Sequence, residues 1–315
     1  MNARDSISRS RAAWAWTAGL IALAVVAPFF VYPVFVMKAL CMALFACAFN
    51  LLIGYAGLLS FGHAAFFGGA SYITAHTAKV WGLPPELAIL FSVAAAAALG
   101  LLVGAIAIRR QGIYFAMITL ALAQMMYFFA LQAPFTGGED GIQAVPRGYL
   151  FGVVDLSDTM RMYFTVLVIF TASFMFIYRI IHSPFGEVLK AIRENEPRAI
   201  SLGYKTDRYK LLAFVLSATL AGLAGSTKAI VLQIASLTDV DWPMSGEVVL
   251  MALVGGLGTV FGPVAGAFII IAMQTYLAQV GQWVTVIQGV IFVACVLLFR
   301  RGIIGEIARL LRVRL

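Results

Sequence analysis

The chain has 315 residues, of which 62% are hydrophobic and only 11% are charged, and its mean hydropathy is +0.96. A water-soluble domain carries about 25% charged residues, so the composition excludes a soluble protein and indicates an integral membrane protein. The net charge of +8 does not indicate nucleic-acid binding, because the basic residues lie at the ends of apolar runs, where they set membrane topology. Cys41, Cys47 and Cys295 lie inside apolar runs without metal-ligand spacing and are interpreted as packing residues.

Apolar runs joined by short polar segments predict an all-α, polytopic fold with about 8–10 transmembrane helices, some of them broken by glycine or re-entrant. We divide the chain into an N-terminal arm (1–13), one transmembrane domain (14–299) and a basic tail (300–315). The predicted spans are Trp14–Tyr32, Val36–Ile53, Glu86–Ile108, Gly112–Ala133, Met162–Ile181, Leu211–Val231 and Trp283–Phe299, with two glycine-rich apolar stretches, 54–78 and 246–278.

The topology follows from the Lys and Arg clusters, which place both termini, Arg109-Arg110 and the 183–210 segment in the cytoplasm. Termini on one side require an even number of crossings. The seven apolar runs that end at Val231 leave the chain on the outside, so an odd number of crossings has to follow. Residues 246–299 are therefore predicted to form either one crossing with a re-entrant hairpin or three short crossings.

Two glycine-broken regions, 54–70 and 254–267, both contain a Phe-Gly pair, Phe61-Gly62 and Phe261-Gly262. Equivalent broken helices in two structural repeats often lie beside the substrate path of a transporter, although two Phe-Gly pairs also arise by chance. Glycine at this density indicates close backbone approach, and Gly258, Gly262 and Gly266 are predicted to share one helix face. The predicted helix-packing glycines are Gly57, Gly62, Gly258, Gly262 and Gly266.

The 183–210 segment is charged but carries a helical apolar pattern, which predicts a short amphipathic helix pair on the membrane surface. Ser183 and Pro184 form an N-terminal cap, Pro197 interrupts the helix, and Gly203 offers a C-cap. The apolar set, which includes Phe185, Leu189, Ile192 and Ala199, is interpreted as a face for docking another protein. The alternative is a solvated connector that satisfies the positive-inside rule.

The sequence contains no nucleotide-binding, hydrolase or zinc-enzyme motif, so neither a catalytic nor a metal site is predicted. The polar residues inside spans are candidates for a substrate path, although each also suits an interhelical hydrogen bond. His63 is favoured as a packing residue over a ligand or proton relay. The substrate-path candidates are Asn50, Ser60, His63, Thr119 and Gln124.

Four segments together resemble the LivM-type permease of branched-chain amino-acid ABC importers: Asn50–Ala75, Thr136–Pro146, Ser183–Leu212 and Leu250–Ala267. The resemblance implies a permease subunit in the bacterial inner membrane that moves branched-chain or related small amino acids or amides and is not itself an enzyme. It implies no cofactor in this chain, since ATP is bound by two partner subunits. The other implied partners are a second, LivH-like permease, a periplasmic substrate-binding protein and membrane lipid, but not nucleic acid.

The resemblance also makes the 183–210 segment the coupling loop that receives the ATPase movement. By position it assigns to the ATPase contact the residues Gly186, Ala191, Arg193, Glu194, Asn195, Ala199 and Gly203. The second interpretation is a stand-alone secondary transporter or channel. The scarcity of charged residues inside the spans counts against it. An integral-membrane enzyme is the third.

Overall fold

A computed structural model describes residues 24–277, 281, 283–298 and 302 of the protein. The predicted N-terminal arm, most of the first predicted span and nearly all of the basic tail lie outside the described residues. Elsewhere the apolar runs form helices, as the hydropathy predicts, and the fold is an all-α polytopic membrane protein.

Eleven α-helices lie within the described residues. They are α1 (Pro33–Asn50), α2 (His63–Lys79), α3 (Pro85–Ala107), α4 (Ile113–Gln132), α5 (Thr159–Ile181), α6 (Pro184–Glu194), α7 (Glu196–Ser201), α8 (Thr206–Leu232), α9 (Trp242–Gly255), α10 (Gly262–Tyr276) and α11 (Trp283–Leu298). Among the described residues, five segments are long and apolar enough to cross a membrane: α3, α4, α5, α8, and α1 together with its continuation to Ala56. The stretch 246–278 is split between α9 and α10, and two short helices fit a re-entrant hairpin as well as two short crossings, so both alternatives stay predictions.

Helix α8 lies at the centre of the bundle and packs against α1, α2 and α3. Small residues permit this approach, since a Cβ on Gly222 would overlap Ala96 of α3 and one on Gly225 would overlap the Phe67 carbonyl of α2. On α3, Gly100 abuts Ala218 in the same way. Because these contacts leave no room for a side chain, the glycines fix the distances between the central helices.

We call one end of the bundle the basic end, because it carries Arg109, Arg110 and the helices α6 and α7. The opposite end, which we call the loop end, holds the segments 133–158 and 233–241. There β1 (Ile142–Gln143) pairs with β4 (Ile234–Ala235), and β2 (Tyr149–Leu150) pairs with β3 (Val154–Asp155), both antiparallel.

Hydrogen bonds and one buried ion pair hold the loop end together. The Lys228 ammonium of α8 donates to the buried Asp239 carboxylate, which also accepts from the Ser236 amide at 3.3 Å. Outside the spans, Asp155 accepts from the Ser157 amide at 2.8 Å, and this bond holds the pKa of that carboxyl below its ordinary value.

Candidate functional site

The first broken segment follows α1 near the basic end. Residues Leu51–Ala56 form a π-helix, and Gly57 then takes a left-handed conformation with φ 72°, which turns the chain out of the helix. The Leu58 amide closes this turn by donating to the Leu52 carbonyl at 3.3 Å. π-helical turns are rare and frequently mark functional positions, so this segment is a candidate moving part.

The second broken segment lies between α9 and α10. Gly256 and Gly258 have φ values of 123° and 75°, which a side chain would strain. The Thr259 hydroxyl donates to the Gly256 carbonyl at 2.7 Å and accepts from the Gly262 amide at 3.1 Å. It thereby satisfies an otherwise unpaired donor at the start of α10. The sequence predicted broken helices in both regions, and the structure confirms this.

The two broken segments meet, and Asn50 joins them. Its side-chain amide donates to the Thr259 carbonyl at 2.9 Å, while its oxygen accepts from the Gly258 amide at 3.0 Å. Gly54 lies against Gly258, because a Cβ on Gly54 would come within 2.8 Å of the Gly258 nitrogen. We call this contact between residues 50–58 and 256–262 the junction.

Arg193, at the end of α6, reaches into the junction from the basic end. Its guanidinium Nη1 donates to the Gly54 carbonyl oxygen. Its side chain also lines the space beside both left-handed glycines, so a Cβ on Gly57 would lie 3.0 Å from Arg193 Cγ and one on Gly258 3.3 Å from Nη1. One turn earlier, Lys190 lies over the ring of Tyr55, 5.9 Å from its centroid.

The amphipathic pair α6 and α7 forms as the sequence predicts, with one difference. The Ser183 hydroxyl accepts from the Gly186 amide at 3.4 Å, and Gly203 ends the pair with φ 89°. The break falls at Asn195, which is extended and whose side-chain oxygen accepts from the Arg198 amide at 3.0 Å. Pro197 therefore does not interrupt the helix; it lies in the first turn of α7, where its missing N–H costs nothing.

The interpretation of the apolar face as a docking surface is wrong. Leu189, Ile192 and Ala199 are all buried within this chain, and Phe185 stacks on Tyr209 of α8 with ring centroids 5.8 Å apart. Gly186 is buried too, since a Cβ there would overlap the Ile181 carbonyl. The apolar face packs against the transmembrane helices of the same chain. The apolar pattern of a single segment does not show which surface covers it.

What the pair exposes is a mixed surface. Ala191, Arg193, Glu194, Asn195 and Gly203 of the predicted coupling set are exposed, whereas Gly186 and Ala199 are not. Sequence reasoning missed three exposed apolar side chains around the end of α7: Ile200, Leu202 and Tyr204, with exposed fractions of 55%, 70% and 41%. The sequence did carry a signal for them: these residues lie next to Gly203, and their positions do not follow the helical spacing of the buried residues.

A buried ion pair fixes the start of α7. The Lys210 ammonium of α8 donates to the Glu196 carboxylate, and the side chains are 4% and 17% exposed. Gln111, in the turn before α4, donates to the same carboxylate at 3.1 Å. Glu196 therefore links the start of α7 both to α8 and to the turn before α4.

The structure does not bring the substrate-path candidates together. Asn50 belongs to the junction. His63 is buried among the rings of Phe49, Phe66 and Phe214, and its Nε2 lies 2.8 Å from the Ser217 hydroxyl, a hydrogen-bonding distance. The remaining three candidates lie elsewhere: Ser60, Thr119 and Gln124.

Ser60 and Thr119 bond to neighbouring backbone amides and not to each other. The Ser60 hydroxyl accepts from the Gly62 amide at 3.2 Å, and the Thr119 hydroxyl accepts from the Phe61 amide at 3.3 Å. Both side chains therefore satisfy backbone groups in the irregular stretch that leads into α2. Gln124 is half-buried on α4. A role for any of the five in binding substrate stays a prediction.

The packing glycines fall into two kinds. Gly62 and Gly266 lie at close contacts, since a Cβ on Gly62 would be 2.6 Å from the Thr119 carbonyl oxygen and one on Gly266 would overlap that of Met251. Gly57 and Gly258 instead occupy left-handed turns. The prediction that Gly258, Gly262 and Gly266 share one helix face is wrong, because α10 begins only at Gly262.

The family described as branched-chain amino acid transport system / permease component matches residues 34–297, which run from the second residue of α1 to the next-to-last residue of α11. The chain belongs to this permease family. The LivM-type resemblance inferred from the sequence is thereby confirmed.

Curated relatives agree with the family. The chain is 26% identical to the high-affinity branched-chain amino acid transport system permease protein LivM of Escherichia coli K12 over 279 residues, and 26% identical to the LivM of Salmonella typhimurium LT2 over 278. Each match covers 81% of this chain but 65% of the relative, so the chain spans about two thirds of their length. It is also 29% identical to the ribose import permease protein RbsC of Bacillus subtilis over 197 residues, 57% of this chain and 58% of that one. No solved structure matches the chain.

Proposed function

We propose that the protein is a transmembrane permease subunit of an ABC importer that moves branched-chain amino acids, or related small amino acids or amides, across the bacterial inner membrane. Two separate ATP-binding subunits supply the energy, and this chain holds no cofactor and catalyses no reaction. A second, LivH-like permease completes the membrane part, and a periplasmic binding protein delivers the substrate. The basic end and both termini face the cytoplasm.

The contact between Arg193 and the junction carries this proposal. A coupling element has to face the ATPase and also touch the helices that move. Helix α6 meets both requirements, because Glu194 and Asn195 are exposed at its end while Arg193 bonds to Gly54 and lies against Gly258. A shift of α6 therefore acts on both broken segments at the same time.

The exposed end of α7 supplies the docking surface in this proposal. Ile200, Leu202 and Tyr204 give apolar area, and Glu194 and Arg198 give charges that fix the orientation of a partner. The Glu196–Lys210 pair prevents α7 from moving independently of the bundle. Force applied to this surface is thus transmitted into the transmembrane helices.

Docking is tested by co-expressing the chain with its neighbouring genes and measuring which subunits co-purify. The double variant Ile200→Asp/Leu202→Asp is expected to lose the ATP-binding subunits, because it places two charges in an apolar contact. Val80→Asp, an equally exposed apolar residue at the loop end, is the control and is expected to retain them. Co-purification of the ATPases with the double variant would refute the docking surface.

Coupling is tested separately in complexes that do assemble. Arg193→Met is expected to leave assembly and ATP hydrolysis in place but to reduce substrate uptake about tenfold or more, since it removes a charge-assisted hydrogen bond. Arg179→Met, at the exposed end of α5, makes the same charge change away from the junction and is expected to transport normally. Equal uptake by both variants would refute the coupling role. A chain that purifies and transports alone would identify a secondary transporter instead.

A further inference from the structure

A groove of about 740 Å³ opens between α3 and α5 in the half of the bundle nearest the loop end. Its walls are apolar and include Val93 of α3 and Val168 and Ala172 of α5, with Leu223 of α8 at its back. It extends along α5 from Arg161 to Ser173, which is about 18 Å at the rise of an α-helix. That length matches about one leaflet of a hydrocarbon core roughly 30 Å thick.

The end of the groove nearest the loops is polar, in contrast to its walls. Glu86, in the first turn of α3, and Arg161, in the first turn of α5, both line it. Arg161 uses its Nε to contact Asp158 at 3.5 Å, so its guanidinium is held at this position. The β2–β3 hairpin covers the same end, with Leu150, Phe151 and Val154 against the groove.

Glu86 carries an unsatisfied oxygen at this position. Its Oε1 accepts from the Phe151 amide at 3.2 Å, whereas Oε2 is shielded from solvent and has no hydrogen-bond partner in the described part of the chain. A shielded carboxylate oxygen costs free energy unless a donor satisfies it. Glu86 lines the groove and is only partly buried, so a cationic N–H donor bound in the groove can form a charge-assisted bond with this carboxylate.

We propose that this groove binds one phospholipid whose headgroup carries both a phosphate and a primary ammonium group, as in phosphatidylethanolamine. One acyl chain lies along the apolar walls, the phosphate contacts the Arg161 guanidinium, and the ammonium donates to the Glu86 carboxylate. A choline headgroup has no N–H to donate, and a glycerol headgroup has no positive charge. The site therefore selects among lipids that share the same chains.

The test uses the purified chain in detergent, titrated with phosphatidylethanolamine, phosphatidylcholine or phosphatidylglycerol of identical palmitoyl and oleoyl chains, with bound lipid counted by native mass spectrometry. Wild-type protein is expected to bind one phosphatidylethanolamine about tenfold more tightly than phosphatidylcholine. Glu86→Gln is expected to abolish this preference, and Arg161→Met to weaken all three lipids. Asp155→Asn, another acidic residue of the loop end that does not line the groove, is expected to keep the preference.

Occlusion of the groove gives a second, independent readout. Ala172→Phe fills the groove from the exposed face of α5 and is expected to remove the bound lipid, whereas Ala105→Phe, on the exposed face of α3 outside the groove, is expected to retain it. Elution volume and melting temperature show whether each variant is folded. Three outcomes would overturn the proposal: tighter binding of phosphatidylglycerol, an unchanged preference in Glu86→Gln, or a lipid retained in Ala172→Phe. So would cross-linking of the groove to another subunit in the assembled complex.

Discussion

Replacing Asn50 with leucine tests whether this residue holds the junction or contacts substrate. Leucine has nearly the shape of asparagine but has no donor or acceptor. The substitution therefore leaves the Gly258 amide and the Thr259 carbonyl without the partners that lie 3.0 Å and 2.9 Å away in the wild type. Both groups are partly buried, and each unsatisfied one costs about 1–3 kcal/mol, so the variant is expected to lose about 2–6 kcal/mol of stability.

Thermal unfolding in detergent measures this loss. Cys41 and Cys47 are free and buried, so a thiol-reactive fluorescent dye reports their exposure as the protein unfolds. At about 2 °C per kcal/mol for a chain of this size, the midpoint is expected to fall by about 4–12 °C. Gln124→Met is the control, because it also removes an amide from a transmembrane helix but breaks no junction contact, and it is expected to shift the midpoint by less than about 2 °C.

Uptake measured on the same preparations separates the two roles of Asn50. An Asn50→Leu protein that unfolds at the wild-type temperature but no longer transports would refute the junction argument and return Asn50 to the substrate path. A destabilised protein that also transports poorly would agree with the junction, since its broken segments are no longer joined.

Three further substitutions test the packing and the buried polar contacts. Gly266→Ala is expected to destabilise the protein by about 1–3 kcal/mol, because its Cβ would overlap the neighbouring helix backbone, whereas Gly246→Ala has open space and is expected to unfold no earlier than wild type. Lys228→Met should cost about 3–5 kcal/mol by leaving Asp239 buried without its cation, and adding Asp239→Leu should recover part of that loss; a double variant no more stable than the single would contradict this. His63→Ala should lose about 2–5 kcal/mol through the cavity it leaves, with normal uptake per folded molecule, and loss of uptake at normal stability would instead support a role in the substrate path.

Local chemistry made the helix pair at the basic end predictable. Ser183 and Pro184 specify where α6 starts, and Gly203 specifies where the pair ends, because caps depend on residues a few positions apart. The same holds for the broken segments, whose glycine density is visible in the sequence. The position of the break at Asn195 was missed because Asn195 caps α7 more effectively than Pro197 ends α6.

Contacts between distant segments were not predictable. Leu189 and Ile192 have the pattern of a docking face, but a pattern does not say which surface covers it, and here that surface is the chain's own bundle. Likewise nothing near Asn50 in the sequence indicates that its amide pairs with the backbone 208 and 209 residues away. The assignment of Asn50 to a substrate path rested on its being polar within a span, and that property suits either role.

The two-point attachment of Asn50 limits which conformations the protein can populate. If the α1–α2 pair shifted while the α9–α10 pair stayed in place, both hydrogen bonds of the Asn50 amide would break, and Arg193 would lose its position between Gly54 and Gly258. Such half-shifted states carry the full free-energy cost of both contacts. We therefore expect the two helix pairs to change position cooperatively, so that the permease passes between few conformations and spends little time in leaky intermediates.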